Sequence, residues 1–184
     1  MWVASHIRVL RYHDAHMGSG LPTAADYAPF FGRYVTLVNS EDIVGHLAEQ
    51  LPLTIALLRS LEPERRYAPG KWSVKQVLGH MIDTERVMAY RALRISRGDT
   101  TPLPGFDQDV LVNGARFDEQ PMEELIDEFE CVRKSTVMQL RGVTGEMWDR
   151  VGTASDHPIS ARALAYIIGG HELYHVGLLE KLYA

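Results

Sequence analysis

The sequence is poor in cysteine, in long hydrophobic runs and in net positive charge, and each shortage narrows what it can be. With Cys131 as the single cysteine, an internal disulfide is impossible and no cysteine pair is available to hold a metal. The longest apolar runs, around Leu51–Leu58 and Ala163–Ile168, are interrupted by Pro52 or Thr54 and closed by Gly169-Gly170. They fall far short of the roughly 20 residues a membrane-spanning helix needs. Lys and Arg number 19 against 24 Asp and Glu, a formal charge of −5. That balance argues against nucleic acid held by the overall field. The first twenty residues lack the apolar segment and cleavage site of a secretory signal, so a cytoplasmic location is expected.

What remains, 184 residues at 46% hydrophobic and 23% charged, suits one globular domain. Residues 1–20 are locally basic through His6, Arg8, Arg11, His13 and His16, and end in a Gly-Ser-Gly junction. They read as an N-terminal extension, either vector-derived or a native arm, ahead of a domain over residues 21–184.

Four segments carry helical periodicity and none alternates as a strand would, which predicts an all-α protein, a four-helix bundle. The first helix is expected to start at Ser40 as N-cap, with Glu41 and Asp42 in its first turn. Its apolar stripe runs Ile43, Leu47, Leu51, Ile55 and Leu58. Pro52 should kink or split it. The second opens on a capping box, Ser73-Val-Lys-Gln76, carries Val77, Met81, Thr84, Met88 and Ile95 inward, and stops at Arg97-Gly98. A long helix 2–helix 3 connection follows, rich in Pro and Gly, of the kind that is either functional or a covering loop. Pro121 fits the first position of the third helix, whose inner face is Leu125, Phe129, Val132, Thr136 and Leu140. A shorter helix is expected around Thr144–Arg150. The last follows Ser160 with Leu164, Ile168, His171, His175, Leu178 and Leu182 in register.

Of the eight histidines, three fall on apolar stripes. His171 and His175 are four apart and share one face of the last helix, while His80 lies within about 60° of Val77, Thr84 and Val87 on the second. Burying imidazoles among aliphatic side chains is costly unless their nitrogens find partners. Hydrogen bonding in the core is one solution. Shared binding of one divalent metal is the other, with an open fourth position as in catalytic sites. The segment His171-Glu-Leu-Tyr-His175 also matches the H-E-x-x-H pattern of metalloproteases. Only nine residues follow it, with no third ligand at the expected spacing and no strand to hold a peptide, so proteolysis is not expected.

The motifs Lys71-Trp-Ser-Val-Lys-Gln-Val-Leu-Gly-His80, Pro104-Gly-Phe-Asp-Gln-Asp109 and Ala163-Leu-Ala-Tyr-Ile-Ile-Gly-Gly-His-Glu-Leu-Tyr-His175 together resemble the DinB-like superfamily, which includes the YfiT-like metal-dependent enzymes. The resemblance spans roughly residues 25–183. It implies a four-helix bundle holding one divalent metal ion, zinc or nickel first among the choices, on His80, His171 and His175. Many such proteins read H-E-L-H-H where this chain has Tyr174, which leaves the ligand pair and alters the pocket lining. Relatives of this kind include thiol transferases using a low-molecular-weight thiol, and homodimers are frequent among them. The resemblance thus implies a small-molecule substrate and either thiol transfer to a small electrophile or hydrolysis. The rival reading is a non-catalytic, stress-associated dimeric module with core or structural-metal histidines.

Other residues keep two readings each. Glu172, at the edge of the stripe, is a general base or a salt-bridging surface acid. Asp83, one turn from His80, orients its ring or is simply exposed. Asp107 and Asp109 approach the metal or substrate, or cap the turn after Pro104-Gly105. Trp72 and Trp148 are expected to plug helix ends, and Cys131 to pack in the core or on its flank. Gly169-Gly170, unfavourable in a helix, imply close approach of another helix there.

Overall fold

The computed structural model describes residues 20–184; apart from Gly20, the expected N-terminal extension lies outside the described residues. Four long helices carry the fold: α2 (Ile43–Ser60), α3 (Val74–Ser96), α5 (Met122–Arg141) and α6 (Ala161–Leu182). A one-turn helix α1 (Gly32–Val35) precedes them and a short α4 (Gln108–Gly114) lies in the long connection. Strands β1 (Val151–Ala154) and β2 (His157–Ser160) form an antiparallel hairpin before α6. Both α3 and α2 pack against α5 and α6, so α2 and α3 occupy diagonal corners of the bundle. The loop between them therefore crosses an end of the bundle instead of joining neighbours.

Local chemistry accounts for most boundaries. Ser73 accepts from the Gln76 amide while the Gln76 side chain accepts from the Ser73 amide, completing the predicted box. Gly98 follows the end of α3 with φ +86°, a conformation that suits glycine. Ser160 caps α6 by accepting from Ala163. The cap of α2 is Asp42, which accepts from Gly45, and not Ser40; Glu41 and Asp42 thus precede the first turn. Pro52 does not split α2, which is continuous through it. The ring lies on the exposed side, where the missing N–H removes one intrahelical bond while the inner face stays packed. Pro121 is the N-cap of α5, so the helix starts one residue later than expected. The short segment expected around 144–150 is a 3-10 helix, Gly145–Asp149.

The hairpin corrects the expectation of a chain without strands. Its two-residue turn, Ser155-Asp156, has φ of 50° and 64°, the backbone of a type I′ turn without the glycine that usually announces it. Leu103 pairs with this hairpin, through its amide to Thr153 O and its carbonyl from the Ser155 amide. The long connection is thereby fixed against the bundle.

Two apolar clusters fill the interior. One joins Val35, Leu47, Met88, Leu140, Trp148 and Leu164; the other joins Leu58, Leu78, Ile82, Leu125, Phe129 and Leu179. Trp148 is the plug expected, and Trp72, half-buried just before α3, packs against the second cluster. Cys131, expected in or beside the core, is exposed: it falls on the outer side of α5, because Arg133 and not Val132 takes the deepest inward position.

Candidate metal centre

Between the two clusters, α3 and α6 bring His80, His171 and His175 together. One ligand atom from each lies within 4.8 Å of the others, and all three residues are buried. Nε2 of His80 is 3.0 Å from Nε2 of His171. The ring centroids are 4.6–4.9 Å apart in all three pairings. The four-residue spacing on α6 stacks two rings on one face, and the inward position of His80 on α3 supplies the third.

Burial holds all three rings in their neutral form. It lowers His80 to about 4 and, with His80 adding repulsion, His175 to about 3. His171 is pushed well below its ordinary value by burial, then by His175 and His80. Neutral imidazoles present lone pairs, as metal ligation requires. The donor set fits a metal on one further observation. Nδ1 of His175 is buried with no hydrogen-bond partner among the described residues, a costly arrangement unless something else satisfies that ring. His80 Nδ1 faces Thr84 Oγ1 at 3.4 Å. Thr84, not Asp83, is thus the side chain placed to orient that ring. Asp83 is half-buried and lies near Arg86.

Glu172 is not a surface acid. It is 2% exposed, and its Oε2 lies 2.6 Å from Nη1 of Arg133, itself 1% exposed. The Arg133 Nε and Nη2 groups also donate to the Glu85 carboxylate, and Nη1 donates to the Leu47 carbonyl. Burial opposes charge on Arg133, yet Glu172 and Glu85 outweigh it and raise the guanidinium above its ordinary range. Burial likewise raises Glu172, with Arg133 opposing. This ionic core beside the histidines was missed in the sequence, although Arg133 lies one turn after Phe129 on the inner register of α5.

Asp107 caps α4, accepting from the amides of Asp109 and Val110, so the turn-capping role is the one its geometry displays. Asp109 is exposed in the first turn of α4. Two large clefts among the described residues reach the histidines. A pocket of about 580 Å³ touches His80 and His171 and is lined also by Phe31, Arg91, Phe106 and Asp107. A second, about 930 Å³, touches His175 and includes Trp72, Tyr174 and Asp109. Phe30 and Tyr34 border both.

Tyr34 stands with its ring 5.2 Å from that of His171 and 5.4 Å from that of Tyr174. The close approach expected at Gly169-Gly170 is made by α1: a Cβ at Gly170 would lie 2.0 Å from the Tyr34 carbonyl oxygen. Glycine there lets α1 rest on the turn that carries His171. The aromatic residues before α2 were also missed, because residues 21–39 carry no helical period. His46 is half-buried, its Nε2 has no partner among the described residues, and burial lowers its pKa.

No helix among the described residues is long and apolar enough to cross a membrane. Among solved structures the fold is similar to YfiT from Bacillus subtilis, described as a probable metal-dependent hydrolase with an unusual four-helix bundle topology. The TM-score is 0.69 at 15% identity, over 79% of this chain and 87% of that one. No curated protein matches the sequence. The family model of the DinB superfamily matches residues 46–179, a stretch containing all three clustered histidines and most of the bundle. The chain belongs to the DinB superfamily.

Proposed function

We propose that this protein is a metal-dependent enzyme acting on a small molecule, with His80, His171 and His175 holding one divalent ion. The observation that carries the reading is the convergence of three buried, neutral imidazoles from two helices, with His175 Nδ1 unpaired among the described residues. Three imidazoles suit zinc or nickel among first-row ions. When bound, the ion supplies Lewis acidity toward substrate and toward water or a thiol at neutral pH.

The chain's own residues do the rest. Thr84 orients the His80 ring, and the Arg133 pair with Glu172 anchors the turn next to His171. Phe30, Phe31 and Tyr34 form an apolar wall at the mouth of the site, which limits water around the reacting groups. The reaction is hydrolysis, as the description of YfiT suggests, or transfer of a low-molecular-weight thiol to a small electrophile. Glu172 is assigned to positioning through Arg133 in place of general-base work, because its carboxylate faces the buried guanidinium. A homodimer and a cytoplasmic setting belong to the same proposal.

The 3.0 Å contact between His80 and His171 favours a second reading, in which the imidazoles hydrogen-bond to one another in a non-catalytic dimeric module. That reading leaves the unpaired nitrogen of His175 unexplained. Metal analysis of untagged protein separates the two. The enzyme reading expects about one ion per chain, lost in His80→Ala with the helical fold retained. Metal-free protein that does not take up zinc or nickel supports the module. Assays of ester and amide cleavage beside thiol consumption with electrophiles then divide hydrolysis from transfer.

A further inference from the structure

The wall of the smaller pocket holds a buried cation that no acid among the described residues pairs with. Arg91 is 2% exposed. Its Nη2 donates to the Pro104 carbonyl at 2.7 Å and to Ser155 Oγ at 3.0 Å, and Nη1 reaches only the Met88 thioether at 3.7 Å. Nε has no acceptor and no carboxylate pairs with the guanidinium among the described residues. Arg133, equally buried, holds two carboxylates. A buried charge without a counter-ion is expensive, and a guanidinium keeps its charge, so a partner from outside the protein is the economical solution.

Position on the helix makes that partner part of a larger ligand. Arg91 follows His80 by eleven residues, about 20° around α3 and about 16 Å along it. Both line the same pocket together with Phe31 and Phe106, and the Arg91 guanidinium carbon lies 5.6 Å from the Phe106 ring centre. The backbone oxygen and hydroxyl held by Nη2 fix the planar fork, and Nε and Nη1 are left without an oxygen acceptor among the described residues. Asp107 lines the pocket too, and its charge disfavours a doubly charged phosphate relative to a singly charged group.

We propose that Arg91 is a carboxylate-binding residue, and that the pocket takes a small monocarboxylate with an apolar body directed toward the histidines. That this carboxylate belongs to the substrate rests on the proposed function; that Arg91 binds it does not.

NMR titration of the full chain, metal-free and zinc-loaded, with hexanoate, 1-hexanol and hexyl phosphate tests it. Wild type should bind hexanoate at least tenfold more tightly than 1-hexanol in the metal-free form, where coordination to zinc cannot contribute. Arg91→Met should erase that preference while still binding 1-hexanol, a readout that a merely structural role for Arg91 does not predict. Arg91→Lys, which keeps the charge, should retain part of it and serves if Arg91→Met does not fold. Equal binding of acid and alcohol, no binding of either, a preference for hexyl phosphate, or a preference that survives Arg91→Met overturns the proposal. Zinc uptake measured on the same samples tests the metal separately: carboxylate preference without zinc uptake keeps this inference and removes the metal reading, and the converse result does the opposite.

Discussion

The Glu172 carboxylate, next in sequence to His171, lies 2.6 Å from the Arg133 guanidinium inside the bundle. The peptide that presents one candidate ligand is thus tied to α5, while Glu85 of α3 holds the other side of the same guanidinium. Three of the four long helices meet in one ionic group beside the histidines.

Removing the centre of that group strands two buried acids. Arg133→Ala should lower stability by about 3–5 kcal/mol in urea unfolding, the cost of leaving buried charge unpaired. Arg133→Ala combined with Glu172→Gln should recover part of the loss, and a strictly additive double mutant would contradict the coupling. Glu172→Gln alone should leave metal content near that of wild type, as expected of a positioning residue.

Gly170 offers a test whose sign is informative. Glycine to alanine in a helix interior ordinarily stabilises by up to about 1 kcal/mol. Here the added Cβ would meet the Tyr34 carbonyl at 2.0 Å, so Gly170→Ala should instead destabilise by about 1–3 kcal/mol. A raised melting temperature would show that α1 does not rest on this turn.

Much of this arrangement was legible because apolar side chains repeat at helical spacing. The stripes of Ile43–Leu58, Val77–Ile95 and Leu164–His175 fixed the long helices, and the same registers turned three histidines inward. What escaped did so for physical reasons. Arg133 sits on an inner register, yet a charged residue is invisible to a pattern built from apolar ones. The hairpin turns on Ser155-Asp156, residues that adopt positive φ without advertising it. Asp42 displaced Ser40 as cap because both side chains suit the role and only backbone geometry chooses. Phe30, Phe31 and Tyr34 lie in a segment whose structure is dictated by what it covers.

The cap of α3 should behave more simply. Ser73→Ala removes the acceptor for the Gln76 amide and should cost about 1 kcal/mol. Ser73→Asp should cost more than Ser73→Ala, because Ser73 is fully buried and its hydroxyl donates to the Asp118 carboxylate, which a second carboxylate would repel. Thermal unfolding reads both, and equal stability of Ser73→Ala and wild type would remove the cap from the account.

Metal-free protein should be acid-sensitive in a defined window. Burial depresses the folded-state values of His80 to about 4 and His175 to about 3, below the value near 6.5 of an unfolded chain. Between those limits the unfolded state binds more protons, so stability is full above about pH 6.5 and falls as pH drops toward 4. Urea midpoints from pH 8 to pH 4 check this. Replacing His80 with a neutral residue of similar size should flatten the fall, and an unchanged slope would contradict it.

The most direct test is a crystal of untagged, zinc-loaded protein, examined by anomalous scattering at the zinc edge. A shared ion requires one anomalous peak per chain within about 2.0–2.1 Å of a nitrogen from each of His80, His171 and His175. A peak elsewhere with none among these three rings, or their hydrogen bonding to one another at saturating zinc, would contradict it.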